Sequence, residues 1–178
     1  TFYPYEMPKI EGDYRIMAII GHSGSGKSTL LKELKDKHFA NKTYDCSKAI
    51  VSNFKSREDA CDKLGSVGLM SIPTWVKPYD VLSVGESFRA LIALNIENDV
   101  VFDEFTSTID RNVAKSCCNA LGKYIRRSGI KGVVVSSCHK DFREYLRPDI
   151  VIDLDEEKVF ACREERLGTT LTSTSTSL

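Results

Sequence analysis

Residues 21–28 read Gly21-His22-Ser23-Gly24-Ser25-Gly26-Lys27-Ser28, and no other stretch restricts so tightly what the chain can become. The pattern GxxxxGK[ST] is specific when a buried strand precedes it and a helix follows. Residues 15–20, Arg-Ile-Met-Ala-Ile-Ile, form a short apolar run of strand character. Residues 28–37 follow helical spacing, with Leu30, Leu31 and Leu34 on one face. Between two such elements, glycines let the backbone curl until successive N–H groups converge on a phosphate, and the helix N-terminus adds positive potential. Lys27 is then placed for the β- and γ-phosphates of a nucleotide and the Ser28 hydroxyl for Mg²⁺. Gly21, Ser23, Gly24, Ser25, Gly26, Lys27, Ser28 and Thr29 are the candidate nucleotide contacts.

A loop of this kind needs a carboxylate at a neighbouring strand end to hold the metal through water. Val100-Val101-Phe102 is a short apolar run that ends in Asp103-Glu104. Asp103 is the candidate metal residue. Glu104 is the candidate general base, since a carboxylate there can orient an attacking water and take its proton. That chemistry fits hydrolysis better than transfer to a second substrate.

The remaining pattern alternates helical and strand segments. Residues 48–52 look strand-like, residues 56–64 look helical up to Gly65, and residues 71–78, with two prolines, read as an ordered loop. Residues 87–97 and 110–127 read as helices, the second with Asp110 near its N-cap. Residues 133–136 read as a buried strand, 140–146 as a short helix, and 150–152 with 158–160 as a terminal hairpin. Strands alternating with helices predict an α/β fold with a mostly parallel sheet flanked by helices.

Composition removes several classes. The 178 residues carry 25 basic and 25 acidic side chains, so no global basic field draws in nucleic acid. Lys123, Arg126, Arg127 and Lys131 form only a local basic cluster. No apolar run reaches the roughly 18 residues that cross a bilayer, and residues 1–6 lack the basic and apolar regions of a signal peptide. The 6 cysteines show no zinc spacing and read as reduced, mostly buried thiols of a cytoplasmic protein. Residues 169–178 are a Ser/Thr-rich stretch with a disordered character, which leaves residues 1–168 as the folded domain.

Taken together these residues resemble the ABC-class ATPases. Leu82-Ser83-Val84-Gly85-Glu86 is similar to that class's LSGGQ signature, with Val and Glu in place of a Gly and the Gln. Ser107-Thr108-Ile109-Asp110 is similar to its D-loop, and His139 stands where it carries a switch histidine. The resemblance covers about residues 10–155. Within the class, the strings Pro73-Thr74-Trp75-Val76-Lys77-Pro78-Tyr79, Gly85-Glu86-Ser87-Phe88-Arg89-Ala90 and Phe102-Asp103-Glu104-Phe105-Thr106-Ser107 look like a group from microbes and phages whose members occur alone or joined to an acetyltransferase-like domain.

The resemblance implies a P-loop ATPase core that binds ATP and Mg²⁺, with Lys27, Glu104 and His139 catalytic. It implies that Ser83, Gly85 and Asp110 meet nucleotide held by a second copy, in an ATP-dependent head-to-tail homodimer that drives a partner or attached domain. The chain also departs from the class. It contains no glutamine, so the class's γ-phosphate-sensing glutamine is missing; Asn53 is a candidate stand-in. The segment before residue 15 is too brief for the usual antiparallel sheet, although Tyr3, Tyr5 or Tyr14 could stack on adenine. The helical subdomain is reduced. The alternatives are the ATP-binding subunit of a membrane transporter, a nucleic-acid-processing ATPase, and a non-catalytic nucleotide-binding module. The missing glutamine and short insert speak against the first, the lack of a coiled coil or DNA-binding insert against the second, and Glu104 against the third.

Overall fold

β1 (Ile16–Ile20) lies inside a 6-stranded sheet, between β4 (Val133–Ser137) and β5 (Ile150–Asp153). β3 (Val100–Phe102) lies beyond β4, and β2 (His38–Phe39) and β6 (Lys158–Ala161) form the edges. All neighbours pair in parallel except β5 and β6, which form the expected antiparallel hairpin. The computed structural model describes residues 13–161. Tyr3, Tyr5, Cys162 and the Ser/Thr-rich stretch lie outside the described residues.

The apolar runs become central strands because both sheet faces are covered. Every residue of β1, β3 and β4 is buried, the pattern of a parallel sheet between helical layers. Side chains alternate between two cores. Ile16, Ala18, Ile20, Val133 and Val135 face the larger one, which α2 (Arg57–Ser66), α4 (Val84–Asn95), α5 (Arg111–Ser128) and α6 (Phe142–Leu146) complete through Leu64, Ile92, Leu121 and Phe142. Met17, Ile19, Val101 and Val134 face the smaller one, under Leu30 and Leu31 of α1 (Lys27–Lys32).

Helix boundaries follow their caps. Asp110 accepts from the amides of Asn112 and Val113 to start α5, and Gly129, with φ 77, ends it in the left-handed conformation. Ser56 caps α2, which runs through Gly65 rather than stopping there. α1 ends sooner than its spacing predicts, at Lys32, and after the turns that follow, Lys37 pairs with Asp99 at 2.5 Å beside the Tyr14 ring. The two-residue strand β2 follows, a strand the sequence pattern does not show. It is held by neighbours, with His38 donating to Asp99 O and Ala40 to Val101 O.

Two local expectations are corrected. Residues 48–52 do not form a strand. The chain makes a 3-10 turn over Ile50–Asn53, where the Asn53 amide donates to Ala49 O and its oxygen accepts from Asp45 N, local bonds that compete with sheet pairing. The proline-containing loop carries a short helix, α3 (Ile72–Trp75). The thiols divide: Cys117 and Cys118 are buried, while Cys46, Cys61 and Cys138 are exposed. Burial pushes the Cys117 thiol up to about 12 and raises Cys118 as well, so neither is a thiolate near neutrality.

α5 and α6 approach closely at Gly122, where an added Cβ would stand 2.6 Å from the carbonyl oxygen of Leu146. Alanine is the better helix former by about 1 kcal/mol, but the clash is with backbone and cannot be relieved by a rotamer change. Gly122→Ala should lower stability by about 1–3 kcal/mol, read as a lower urea midpoint at unchanged m-value.

Candidate functional site

In the parallel register Ile20 pairs with Ser137 and with Asp153, and Phe102 pairs with Val135. The loops that begin at Gly21, Asp103, Cys138 and Leu154 therefore all leave the carboxyl edge of the sheet. That edge is where ligands bind in open α/β sheets. Tyr14 precedes β1 and lies at the opposite edge, packed on Lys37, which removes it as an adenine platform.

The loop before α1 has the predicted curl. Gly24 and Gly26 have φ of 84 and 96, open to glycine without strain. A Cβ on Gly21 would sit 2.3 Å from Ser25 Oγ and 3.0 Å from Ser25 Cβ, so a side chain there would force Ser25 to shift. The Lys27 ammonium donates to the carbonyls of Gly21 at 2.6 Å and His22 at 2.7 Å. Ser25 Oγ is buried and, among the described residues, has no hydrogen-bond partner. His22 is tied to the β5–β6 turn, its backbone N–H donating to Asp155 Oδ1 at 3.0 Å and its Nδ1 lying 2.5 Å from the same oxygen. These contacts, the backbone amide first, hold the Asp155 carboxyl below its ordinary range.

Asp103 is bound from both sides. Ser28 Oγ donates to its Oδ2 at 3.3 Å, and Ser136 Oγ donates to its Oδ1. The Glu104 amide donates to Asp103 Oδ1 at 2.9 Å and to Ser136 Oγ at 3.1 Å, and the Phe105 amide to Ser136 O at 2.7 Å. Ser136 is fully buried, and sequence reasoning missed it; the one available signal was a hydroxyl directly after the apolar run Val133–Val135. Glu104 and Thr106 have φ of 51 and 68, a region that non-glycine residues, β-branched ones above all, enter only when the surroundings impose it. Here Phe105 between them is clamped among Phe88, Phe102 and Phe142. The Glu104 side chain is exposed and borders a cleft of about 420 Å³ whose walls include Asn41, Phe88, Asn95, Phe102 and Asp103.

Other candidates stand apart. Ser83 caps α4: it accepts from the Glu86 amide at 3.3 Å, and the Glu86 carboxylate accepts from the Ser83 amide at 2.9 Å. This reciprocal box holds the Glu86 carboxyl below its usual range, through the Ser83 amide first. Gly85 packs against Val113, 3.3 Å from where its Cβ would be. The Asp110 carboxylate is the cap of α5. The His139 amide donates to Ser137 Oγ at 3.1 Å. Asn53 is committed to the 45–53 turn; two amide side chains line the cleft with Asp103 and Glu104, Asn95, which is bonded to Lys42 and Leu91, and Asn41, which pattern reasoning passed over because β2 itself was not legible. Three side chains of the basic cluster are engaged within the chain: Arg127 pairs with Asp62 and Lys131 with Asp13, both at 2.9 Å, and Arg126 donates to Leu146 O at 3.2 Å.

No protein-family model matches the sequence, and no curated protein matches it. Solved structures do. An ATP-binding cassette captured as a dimer in a post-hydrolysis state with ADP and Pi aligns with a TM-score of 0.59 at 19% identity, over 83% of this chain and 85% of that one. A protein described as a metal-chelate type ABC transporter, in an inward-facing conformation, aligns at 0.62 and 18% over 84% and 73%. A dimeric bacterial ABC transporter cassette aligns at 0.56 and 18% over 83% and 85%. The chain therefore has the fold of an ABC ATPase cassette, a mostly parallel sheet flanked by helices. Among the described residues no helix is long and apolar enough to cross a membrane.

Ser136→Ala removes the hydroxyl that Asp103 and the Glu104 amide share. A buried hydrogen bond to a charged group contributes about 1.5–3 kcal/mol. A loss of stability in that range should appear in denaturant titration, and Ser136→Thr should recover part of it.

Proposed function

We propose that this chain binds ATP with Mg²⁺ in the loop 21–28 and hydrolyses it, and that two copies close head to tail around the nucleotide to drive a partner or an attached domain. The observation that carries this reading is the continuous hydrogen-bonded path Ser28–Asp103–Ser136–Glu104. It joins the glycine loop to the exposed carboxylate at the strand end.

The residues present fit a metal-bound triphosphate. Ser28 and Asp103 offer a hydroxyl and a carboxylate oxygen side by side, the hard donors that Mg²⁺ takes alongside phosphate oxygens. Ser25 Oγ is an unused donor within the loop. The bound Mg²⁺ supplies charge neutralisation of the phosphates. The amides of the loop and Lys27 hold the phosphates, with Ser23, Gly24, Gly26 and Thr29 in contact. Asp103, fixed by Ser28 and Ser136, holds the metal through water. Glu104, aimed by its imposed backbone conformation, takes the proton of the attacking water. Asn41, from the cleft wall beside Glu104, and His139 are assigned to read the terminal phosphate, Asn41 in the role for which Asn53 was the sequence candidate.

The homodimer rests on Ser83. Its hydroxyl accepts from the Glu86 amide and also lies within hydrogen-bond reach of the Glu86 carboxylate, so a partner's nucleotide competes with that local bond. Ser83 and Gly85 then serve nucleotide brought by a second copy, with Asp110 at the same junction. The acetyltransferase-like domain is the attached unit that the resemblance implies, and the cytoplasm is the compartment that the reduced thiols imply. The intramolecular pairing of Arg127 and Lys131 weighs against the nucleic-acid reading.

Lys27→Ala should abolish or severely weaken binding of ATP·Mg²⁺ in isothermal titration; unchanged affinity would refute the assignment of the loop. Glu104→Gln should keep binding and lose about 10²-fold in turnover, the usual scale for a general base. Because hydrolysis is stalled, that variant should dimerise on adding ATP and Mg²⁺ in light scattering, since a ligand shared by two copies pulls the equilibrium toward the dimer. Adding Ser83→Arg should leave ATP binding intact and the protein monomeric. Glu104→Gln protein that stays monomeric at saturating ATP sinks the sandwich.

A further inference from the structure

The two residues after His139 are anchored by charge in different directions. The Lys140 ammonium lies 2.8 Å from Asp153 Oδ2 and 3.1 Å from Glu156 Oε1. Asp153 is fully buried at the end of β5, where its Oδ1 accepts the amides of Asp155 and Glu156. Asp141 turns the other way. Arg111 donates to it with both edges of its fork, Nε to Oδ2 at 3.2 Å and Nη2 to Oδ1, while Nη1 reaches Thr106 O at 3.5 Å.

Both ends of the Arg111–Asp141 pair go against local preference. Arg111 is the first residue of α5, where the helix dipole disfavours a cation. Asp141 sits at the N-cap of α6 but makes no side-chain capping bond, although a carboxylate suits that position. Each gives up a local stabilisation for one cross-chain contact whose bidentate geometry fixes direction as well as distance. The opposite anchor is equally directional, because Lys140 meets a carboxylate that the β5–β6 turn has immobilised.

The anchors lead to the two halves of the site. The β5–β6 turn also carries Asp155, which holds His22 in the phosphate loop. α5 directly follows the segment bearing Glu104, and Arg111 touches that segment at Thr106. We infer that Lys140 with Asp153 and Asp141 with Arg111 form a two-sided ionic brace that sets where His139 stands relative to the phosphate loop and Glu104. The four are positioning residues. The inference rests on the hydrolytic reading above and adds to it how His139 is held.

Steady-state ATP hydrolysis by the full chain tests it, alongside thermal melting. Arg111→Met should lower kcat about 10-fold, since small misplacements of a reacting group carry costs of at least that order, with KM for ATP changed less than about twofold. Lys140→Met should act in the same direction. Arg111→Met combined with His139→Ala should be no slower than His139→Ala alone, because the brace acts only through that histidine. The swap Arg111→Asp with Asp141→Arg should recover part of the rate. If Arg111→Met does not fold, Arg111→Lys, which keeps the charge and loses the fork, and Asp141→Asn carry the same comparisons. Folded brace variants that turn over at the parental rate while His139→Ala is slowed overturn the brace and leave the hydrolytic reading standing. Losses that multiply with His139→Ala overturn it as well. A His139→Ala protein at the parental rate overturns the role of His139 and the brace together, whatever the Arg111 variants do.

Discussion

One buried hydroxyl organises the candidate site. Ser136 Oγ donates to the Asp103 carboxylate and accepts the Glu104 amide, and its carbonyl takes the Phe105 amide. Three consecutive residues at the end of β3 are thereby registered against β4. Buried polar groups are costly unless satisfied, so a serine inside Val133–Ser137 is stable only while β3 presents those partners. The same constraint drives Glu104 and Thr106 into positive φ, with the Phe105 ring locked in an aromatic cluster between them. The carboxylate that faces solvent is held by a backbone with little freedom to relax.

Much of this was legible from residue pattern. Val100-Val101-Phe102 and Val133-Val134-Val135 are too short and too apolar to be anything but buried strands once glycines and helix caps bracket them. α5 announces itself with Asp110 at one end and Gly129 at the other. The carboxyl-edge cluster of loops then follows from parallel pairing alone. What was illegible depends on tertiary partners. β2 is two residues long and is held where the amides of His38 and Ala40 find the carbonyls of Asp99, just before β3, and Val101, within it. Asn41 was invisible for the same reason. α1 stops at Lys32, short of the apolar spacing that continues to Leu34, and the Lys37 contacts with Asp99 and Tyr14 lie beyond its end.

The signature-like segment shows how a departure from a familiar pattern acquires a local cause. Glutamate at position 86 completes a capping box with Ser83 and also accepts from Thr74 Oγ1 at 3.2 Å, which links the start of α4 to α3. Such an end contributes on the order of 1 kcal/mol to keeping the start of α4 ordered. The fold thus meets a stability need with the residue at which the pattern departs from the familiar one.

The bonds that Lys27 makes to Gly21 O and His22 O give the glycine loop an internal occupant. The cation already has two acceptors, so on the proposed reading an arriving anion would compete with the loop's own carbonyls for it. Binding would then be a ligand exchange at a single ammonium group, and the loop's shape and its proposed affinity would draw on the same cation.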